Sequence, residues 1–508
     1  MKKLFKKLAT TNISTAYIFI LLGISTLMMA GYFSYAWFTV QGVQKYSVVT
    51  GNLYGTVAIG TNSVTIAGQG VLTYTPTTNS DTITLTVTNT NDRTVKNSIY
   101  YYNLSDSSIQ IGYASDSPTV PTVAGVSVNQ NKTLTYKIKI KNAKGKQIKI
   151  GSSMGLNNSN LSLPSGTTAL ALLSDPITVE NLIAKSNPET LDYNTATDEQ
   201  KNQMWTFSHE ATEQLKATTD YRYIGANPNN YVKFNDELWR IIGVFDVDDG
   251  TGKIEKRMKI VRNESIGNYA WDNKTIISGG PINYYGKNNW PDARLNYLLN
   301  PGHESETYGG SLYWNRKSGA CYSGQKEATT SCDFTSTGLT DTAKSMVGDA
   351  KWYLGGTTDY TSSSNGLASH FYSYERGTTV YDSSRSTKWT GKVGLIYPSD
   401  YGYATSGGTN VNRASCLKRA LYEWNIVNEN ADCMINNWFI DTFLNKSYSL
   451  TPYNTNRMVF SISSTNPNYS VYSYDAFEGD VMPAVHLKST IKITSGTGSS
   501  KDPFILGL

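Results

Sequence analysis

Cysteine and histidine are the side chains in this sequence best suited to metal binding or nucleophilic chemistry, and their spacing separates those roles from a structural one. The four cysteines, Cys321, Cys332, Cys416 and Cys433, follow the spacings C-x10-C and C-x16-C. Metal sites usually use closer pairs of the form C-x2–4-C, so zinc binding is disfavoured. In an exported chain these spacings predict two local disulfides, 321–332 and 416–433, although four cysteines allow three pairings.

The four histidines, His209, His303, His370 and His486, have no catalytic or metal-binding spacing. His209-Glu210 is followed by Ala-Thr-Glu, which departs from the H-E-x-x-H motif of zinc proteases. His486 lies in an alternating strand pattern, where a structural histidine is expected. We therefore predict no metal site.

Two further segments have the composition of a reactive or cation-binding site but the wrong surroundings. Residues 151–155, G-S-S-M-G, match the G-x-S-x-G motif, yet a nucleophile elbow needs a following helix in a parallel sheet. Asp246, Asp248 and Asp249 supply carboxylates, but Gly250 stands where an EF-hand needs a ligand, which favours a hairpin tip. We predict that the chain is not an enzyme and has neither catalytic residues nor a cofactor.

Aromatic rings supply the strongest candidate for a binding surface. Between Trp352 and Tyr403 they recur among Ser, Thr, Gly and Asp, and Tyr and Trp combine an apolar face with a polar group. Most of these rings are expected to fill a core that is poor in aliphatic residues. We predict that four are exposed and bind ligand: Tyr360, Tyr372, Tyr374 and Trp389. The tryptophans among apolar neighbours should be core: Trp239, Trp290 and Trp438.

The element that places all of these groups outside the cell is an uncharged apolar run at residues 16–38. It follows four lysines, Lys2, Lys3, Lys6 and Lys7, and has the roughly 20 residues that a membrane-spanning helix needs. Because basic residues stay on the cytoplasmic side, the remainder should lie outside. We predict an N-terminal membrane helix within residues 1–38, retained as an anchor, or removed as a signal peptide by cleavage after Ala36.

Length and charge limit the remaining possibilities. A chain of 508 residues is too long for a single core, so a multidomain protein is expected. The net charge of +5 includes the four N-terminal lysines, which leaves +1 for the exported part. With this charge and no nucleic-acid motif, nucleic acid is excluded as a partner.

Residues 39–165 are predicted to form an all-β, Ig-like or jelly-roll sandwich. Residues 81–89, D-T-I-T-L-T-V-T-N, alternate apolar and hydroxyl side chains with the period of a half-buried strand, and residues 133–140 repeat the pattern. The A-W-F-T step at 36–39 is similar to that of camelysin-type biofilm matrix proteins.

The rest of the chain changes in composition. Thr197 and Gln200 could form a capping box, so residues 166–222 are predicted to be a helical connector. Beyond it, strand patterns such as L-W-R-I-I-G-V-F at 238–245 alternate with a short helical segment within 288–300. Residues 223–508 are therefore predicted to be a disulfide-containing α+β domain.

Motifs in residues 221–508 carry a second resemblance. The ordered segments L-W-R-I-I-G, S-D-Y-G-Y-A and P-A-V-H-L-K resemble the C-terminal module of exported surface proteins from Gram-positive gut bacteria. The tryptophan-rich pattern and the P-A-V-x-L step are similar to the fold of C-type lectins and sulfatase-modifying factors, which implies a C-type-lectin-like fold. Residues 289–292, N-W-P-D, match a lectin calcium motif only loosely, so calcium-dependent sugar binding is not implied.

These features together predict a cell-surface recognition or adhesion protein that presents a C-terminal binding domain on a β-sandwich stalk. Its partners would be the membrane, through residues 16–38, and a glycan or protein ligand. The alternative is a structural matrix or fibre subunit that assembles through its β domain, which requires strand edges able to pair between chains.

The predicted topology can be tested on intact cells. If residues 1–15 lie inside and the rest outside, protease added to the cells should remove an epitope placed at the C-terminus. A protected epitope would contradict the topology, and lysed cells provide the control for its cleavability.

Overall fold

The computed structural model describes residues 24–25 and most of 53–507. Within the second range it omits residues 60–61, 68, 107, 121–124, 157–160, 174, 276–285, 427–428, 443–445, 456, 464–470 and 476–478. The chain forms two compact units, Met1–Ser174 and Asp175–Leu508, here called unit 1 and unit 2. The boundary therefore lies after the predicted one at residue 165.

The predicted membrane helix, residues 16–38, lies outside the described residues except for Ile24 and Ser25, which are helical. In the described part of the chain, no helix has both the length and the apolar character needed to cross a bilayer. The anchor and its cleavage after Ala36 therefore stay predictions.

Unit 1 is all β, as predicted, and its described strands form one antiparallel sheet of ten strands in the order β10-β5-β9-β3-β2-β1-β4-β8-β6, with β7 paired to β5. The strands are β1 (Tyr54–Ile59), β2 (Asn62–Ala67), β3 (Gln69–Tyr74), β4 (Ser80–Asn89), β5 (Val95–Tyr102), β6 (Gln110–Tyr113), β7 (Val126–Val128), β8 (Thr133–Lys141), β9 (Ile148–Leu156) and β10 (Thr167–Ala169). In β4 the alternation buries Ile83, Leu85 and Val87, because successive side chains point to opposite faces of a sheet.

Residues 167–173, at the end of unit 1, pair with β5 near one end of this strand order and with β6 at the other end. β10 pairs with β5, and Leu170 N–H donates to the Ile99 carbonyl over 3.0 Å. The next residues pair with β6, where Tyr113 N–H donates to the Ala171 carbonyl over 2.8 Å. Residues 167–173 thus cover edges of both β5 and β6, which gives unit 1 a sandwich-like form with these edges protected.

Unit 2 has three kinds of β structure in its described residues: a nine-stranded main sheet, a five-stranded sheet and two hairpins. The main sheet contains β11 (Trp205–His209), β12 (Thr218–Arg222), β13 (Tyr231–Phe234), β14 (Glu237–Asp248), β15 (Ile254–Arg262), β21 (Val393–Gly394), β26 (Ala484–His486), β27 (Lys492–Ser495) and β28 (Phe504–Gly507). The second sheet contains β16 (Asn268–Tyr269), β22 (Ser447–Pro452), β23 (Met458–Ile462), β24 (Val471–Asp475) and β25 (Gly479–Asp480). The hairpins are β17 (Ser318–Tyr322) with β18 (Thr329–Asp333), and β19 (Ala350–Tyr353) with β20 (Lys388–Gly391).

The helices of unit 2 are short and lie between these strands. They are α1 (Val179–Ala184), α2 (Asp198–Lys201), α3 (Arg294–Leu299), α4 (Asp341–Met346), α5 (Ala368–Glu375), α6 (Pro398–Tyr403), α7 (Arg413–Cys416), α8 (Ala431–Ile435) and α9 (Phe439–Thr442), with 3-10 turns at Trp290–Asp292 and Leu421–Glu423. An α+β organisation was predicted for residues 223–508, and the structure shows mostly β sheets with short helices between the strands.

The segment predicted as a helical connector is organised differently. The capping box of Thr197 and Gln200 is present at the start of α2, but this helix ends at Lys201. Residues 205–209 form a strand instead, because W-T-F-S-H alternates in burial and pairs with β12. Most of 166–222 therefore belongs to unit 2, and its strands join the main sheet.

The predicted disulfides are both confirmed. Cys321–Cys332 links the two strands of the β17–β18 hairpin, and Cys416–Cys433 links α7 to α8. Each closes a short loop. In the chain-entropy model this lowers the entropy of the unfolded chain and so stabilises the folded state by roughly 3 kcal/mol.

The role of residues 167–173 can be tested with two fragments of unit 1. A fragment of residues 39–165, which ends at the predicted boundary, should be less stable than residues 39–174 by on the order of 3–5 kcal/mol, because it loses the Leu170 contact and the edge hydrogen bonds. Thermal unfolding followed by circular dichroism gives the difference. Size-exclusion chromatography should show association of the shorter fragment only, and equal behaviour of the two fragments would contradict this role.

Candidate functional site

The predicted binding rings do not form one exposed surface. Tyr372 is only 3% exposed; its ring stacks on His209 at 3.7 Å between centroids, and the Arg376 guanidinium lies 3.6 Å from its centroid. The prediction of an exposed Tyr372 is therefore wrong. Its polar sequence neighbours belong to α5, which turns Phe371, Tyr372 and Glu375 toward the core.

The other three predicted rings are half-buried and contact different neighbours. Tyr360 packs edge-on against Tyr453 and Phe460, whereas Trp389 packs edge-on against Trp290. Tyr374 contacts Phe371. The tryptophans predicted as core residues are buried: Trp239, Trp290 and Trp438. Most of the aromatic rings between Trp352 and Tyr403 therefore pack in the core, and the candidate site lies elsewhere in unit 2.

The polar centre of unit 2 is Asp400, which lies in the first turn of α6. Its Oδ1 accepts from Arg222 Nη1 at 2.9 Å, and its Oδ2 accepts from Lys259 Nζ at 2.5 Å and from Tyr397 N at 3.0 Å. Arg222 also donates through Nη2 to Asp220 Oδ2 at 2.8 Å. Asp220 and Arg222 share one face of β12 because they are two residues apart, and Lys259 comes from the adjoining part of the sheet on β15.

Burial and charge act against each other in this network. Burial alone would raise the pKa of Asp400, but Lys259 and Arg222 hold it below its usual value. Burial lowers the pKa of Lys259 in spite of Asp400. Burial also lowers the pKa of His209 and of His486, so both imidazoles are neutral at pH 7. The network is therefore a set of compensating ion pairs flanked by neutral histidines.

A second buried carboxylate, Glu375, adjoins this network. It accepts from Ser399 N at 2.9 Å, from Ser399 Oγ at 2.5 Å and from Arg376 Nη1 at 3.0 Å. Burial raises its pKa from 4.5 to about 7, even though Arg376 and Ser399 favour the ionised form. Lysine, aspartate, serine and a carboxyl group that titrates near neutrality are the types of residue that acid–base catalysis uses.

The space beside these groups is too small for a substrate. The cavity lined by Lys259, Arg376, Tyr397, Asp400 and His486 measures about 30 Å³. This is far below the range of about 300–1,000 Å³ that is usual for ligand pockets. The side chains suited to catalysis therefore contact one another and leave no space for a substrate.

The acidic hairpin is likewise occupied by its own contacts. Asp246 pairs with Lys256, Asp248 pairs with Lys351, and Asp249 accepts from Thr251. Among the residues that the structure describes, no group of three or more His, Cys, Asp or Glu is arranged to hold a metal ion.

A groove of about 400 Å³ lies on another part of unit 2, between the β13–β14 turn, α4 and β28. Phe234 and Ala343 are buried at its base, while Met346, Ile505 and Leu506 form aliphatic walls. Charged and polar side chains complete the rim: Lys233, Asn235, Asp236, Thr340 and Thr342. Its volume falls in the range of about 300–1,000 Å³ that is usual for ligand pockets.

One asparagine sets the shape of this groove. Asn235 and Asp236 adopt φ values of 57° and 62°, the left-handed conformation of a two-residue hairpin turn, which Asn and Asp tolerate. The Asn235 amide donates to the Thr337 and Gly338 carbonyls, and its oxygen accepts from Thr340 N at 2.7 Å. These bonds hold the turn against the start of α4 and so fix the distance between the two walls.

Sequence reasoning missed both the network and the groove. Asp400 lies inside the S-D-Y-G-Y-A segment that carries the family resemblance, which was the available signal. Charged side chains are seldom fully buried, so nothing local to Arg222, Lys259 or Glu375 indicated that they would meet. The groove residues come from three distant segments, and the local signal available was the Asn235-Asp236 pair, whose residue types favour a turn.

The raised pKa of Glu375 predicts a pH-dependent stability. The stabilisation by protonated Glu375 is fully present below about pH 4.5 and is lost as the pH rises toward 7. His209 and His486, with lowered pKa values, contribute the opposite slope near pH 6.5, so the comparison must be with Glu375→Gln, which keeps both histidines. From pH 4 to pH 8 the wild type should lose on the order of 3 kcal/mol relative to this variant in the free energy of unfolding by urea. A pH-independent difference between the two proteins would contradict the assignment.

The chain was compared with known proteins to ask whether the network or the groove has a counterpart of known role. Neither protein-family models, nor curated proteins, nor solved structures give a match. The function of unit 2 is therefore inferred from the chemistry and geometry of its own side chains.

Proposed function

We propose that unit 2 is a non-enzymatic recognition module whose groove binds a segment of a partner protein. The observation that carries this proposal is that the potentially reactive side chains and the ligand-sized groove lie in different parts of unit 2. The reactive side chains around Asp400 enclose only about 30 Å³, whereas the 400 Å³ groove is lined by aliphatic, hydroxyl and amide groups, with Lys233 and Asp236 at its rim. A site of this size and composition can select and hold a ligand.

The lining favours a peptide over a glycan. Sugar rings pack on exposed aromatic faces, but the aromatic residue in this lining, Phe234, is buried. Met346, Ile505 and Leu506 suit an aliphatic side chain, and methionine adapts to different shapes. Lys233 and Asp236 form no ion pair with another described residue, so both are available to charges that flank the apolar side chain.

The cellular setting is part of the proposal. Two disulfides suit a compartment outside the cytoplasm, in line with an anchored or secreted surface protein. On this proposal unit 1 is an Ig-like or jelly-roll stalk and unit 2 has a C-type-lectin-like fold. The fibre-subunit alternative is less favoured, because residues 167–173 already cover edges of β5 and β6.

A displayed peptide library tests the proposal directly. Selection on the exported chain, residues 39–508, should enrich peptides with an aliphatic residue flanked by charges. Ile505→Glu should weaken their binding at least tenfold, because a charge then faces the apolar walls. Ile254→Glu is the matched control, since Ile254 is also an exposed strand isoleucine but lies at the β14–β15 hairpin.

Both variants should unfold at the temperature of the wild type, because each side chain is at least one third exposed. The proposal fails if selection enriches no peptide, or if Ile505→Glu binds the enriched peptides as well as Ile254→Glu does.

A further inference from the structure

The groove of unit 2 lies in the plane of the main sheet, at the place where β13 ends. Successive residues of a strand point to opposite faces of a sheet, so a pocket on one face is lined by alternate residues. This groove is lined instead by two pairs of consecutive residues, Lys233-Phe234 on β13 and Ile505-Leu506 on β28. It therefore opens between the two faces, in the position that a further stretch of strand would take.

The strand β28 continues beyond the end of β13. Its pairing with β13 ends at Ile505, whereas its pairing with β27 extends to Gly507. On β27, Ile493 donates to the Ile177 carbonyl over 2.9 Å and accepts from Ile177 N–H over 2.7 Å, so its backbone groups face away from β28. Ile493 is opposite Leu506 in the register, and the two residues of such a pair in an antiparallel ladder face away from each other. The backbone groups of Leu506 therefore face the side of β13.

Two backbone groups are left unpaired at this point. A continued ladder would join Asn235 N–H to the Leu506 carbonyl, but the left-handed turn at Asn235 directs β13 away from β28. Among the described residues, no group donates to this carbonyl and none accepts from this N–H. The N–H and C=O of one trans peptide unit point in opposite directions, so a single inserted peptide unit can satisfy both groups.

The lining differs between the two faces of the sheet. On the inner face Phe234 is buried and Leu506 is half-buried, whereas on the outer face Lys233 and Ile505 are exposed and adjacent in register. An extended peptide directs alternate side chains to the two faces. A residue whose aliphatic side chain contacts Phe234 and Leu506 therefore has direct neighbours whose side chains lie on the face of Lys233.

We propose that the partner segment binds as an extended strand and inserts one peptide unit between the Leu506 carbonyl and Asn235 N–H. This inference rests on the proposed function of the groove and specifies its binding mode, which is strand addition. The segment carries an aliphatic residue directly followed or preceded by an acidic one, because Lys233 forms no ion pair with another described residue. In a helical ligand the two side chains would have to be three or four residues apart to lie on the same face.

An ester scan of an enriched peptide tests the backbone contact without changing the protein. In each synthetic variant an ester replaces one peptide bond, which removes one N–H donor and keeps every side chain. One ester should weaken binding to the exported chain by about fivefold or more, the loss expected for one hydrogen bond, and the others should change it by less than about twofold. Uniform tolerance of all esters, or losses at several consecutive positions as in a helix, would overturn the inference.

Hydrogen exchange locates the same contact on the protein. Saturating peptide should slow exchange of Asn235 N–H by about fivefold or more, because this amide then donates to the peptide. Asn131 is the matched control, since it is also a left-handed turn asparagine, with φ of 54°, but lies in unit 1. Its exchange should not change, and an unchanged rate at Asn235 would contradict the proposed insertion.

Charge reversal at Lys233 tests the spacing of the ligand side chains. Peptide selection on Lys233→Glu should replace the acidic neighbour of the aliphatic residue by a basic one, whereas Lys149→Glu, at an exposed strand lysine of unit 1, should keep the acidic neighbour. An acidic preference that persists in Lys233→Glu would overturn the placement.

The outcomes separate this inference from the proposed function. Enriched peptides that fail the ester and exchange tests overturn the extended binding mode alone. A selection on the wild type that enriches no peptide overturns the proposed function and this inference with it.

Discussion

The pairing of one carboxylate with two cations at Asp400 is the interaction on which the architecture of unit 2 depends. Asp400 is only 1% exposed, and its partners come from β12 and β15 while it belongs to α6. Removing one member of such a group leaves a buried charge without compensation, which costs about 3–5 kcal/mol. The strands and the helix can therefore not shift relative to one another without breaking several charged hydrogen bonds together.

This constraint also supports the proposal that recognition takes place at the periphery of unit 2. The ionisable groups of the interior bind one another, so they are rigid and inaccessible to a molecule of ligand size. The groove instead depends on a single side chain, Asn235, whose three hydrogen bonds join a hairpin turn to α4. Rigid supports with an adaptable aliphatic lining are well suited to holding a peptide.

Features with a local physical cause could be predicted from the sequence. The alternation in β4, the capping box of Thr197 and Gln200, the burial of Trp239 and the two short-range disulfides all follow from neighbouring residues. The burial of Tyr372 could not be predicted, because its ring stacks on His209, which lies far earlier in the chain, and packs against Arg376, a charged side chain of the kind that is seldom buried. The strand β10 was missed because three residues are too few to show a period, and only its pairing with β5 defines it.

The place of β28 in the main sheet has a consequence for biogenesis. It runs parallel to β13 and also pairs with β27, so it lies inside the sheet although it is separated from β13 by most of unit 2. The edge of β13 therefore stays open while the intervening residues are synthesised, and contacts between such distant segments form slowly. If the chain crosses a membrane in an extended state, this delay keeps unit 2 competent for transport, and the sheet closes only on the far side.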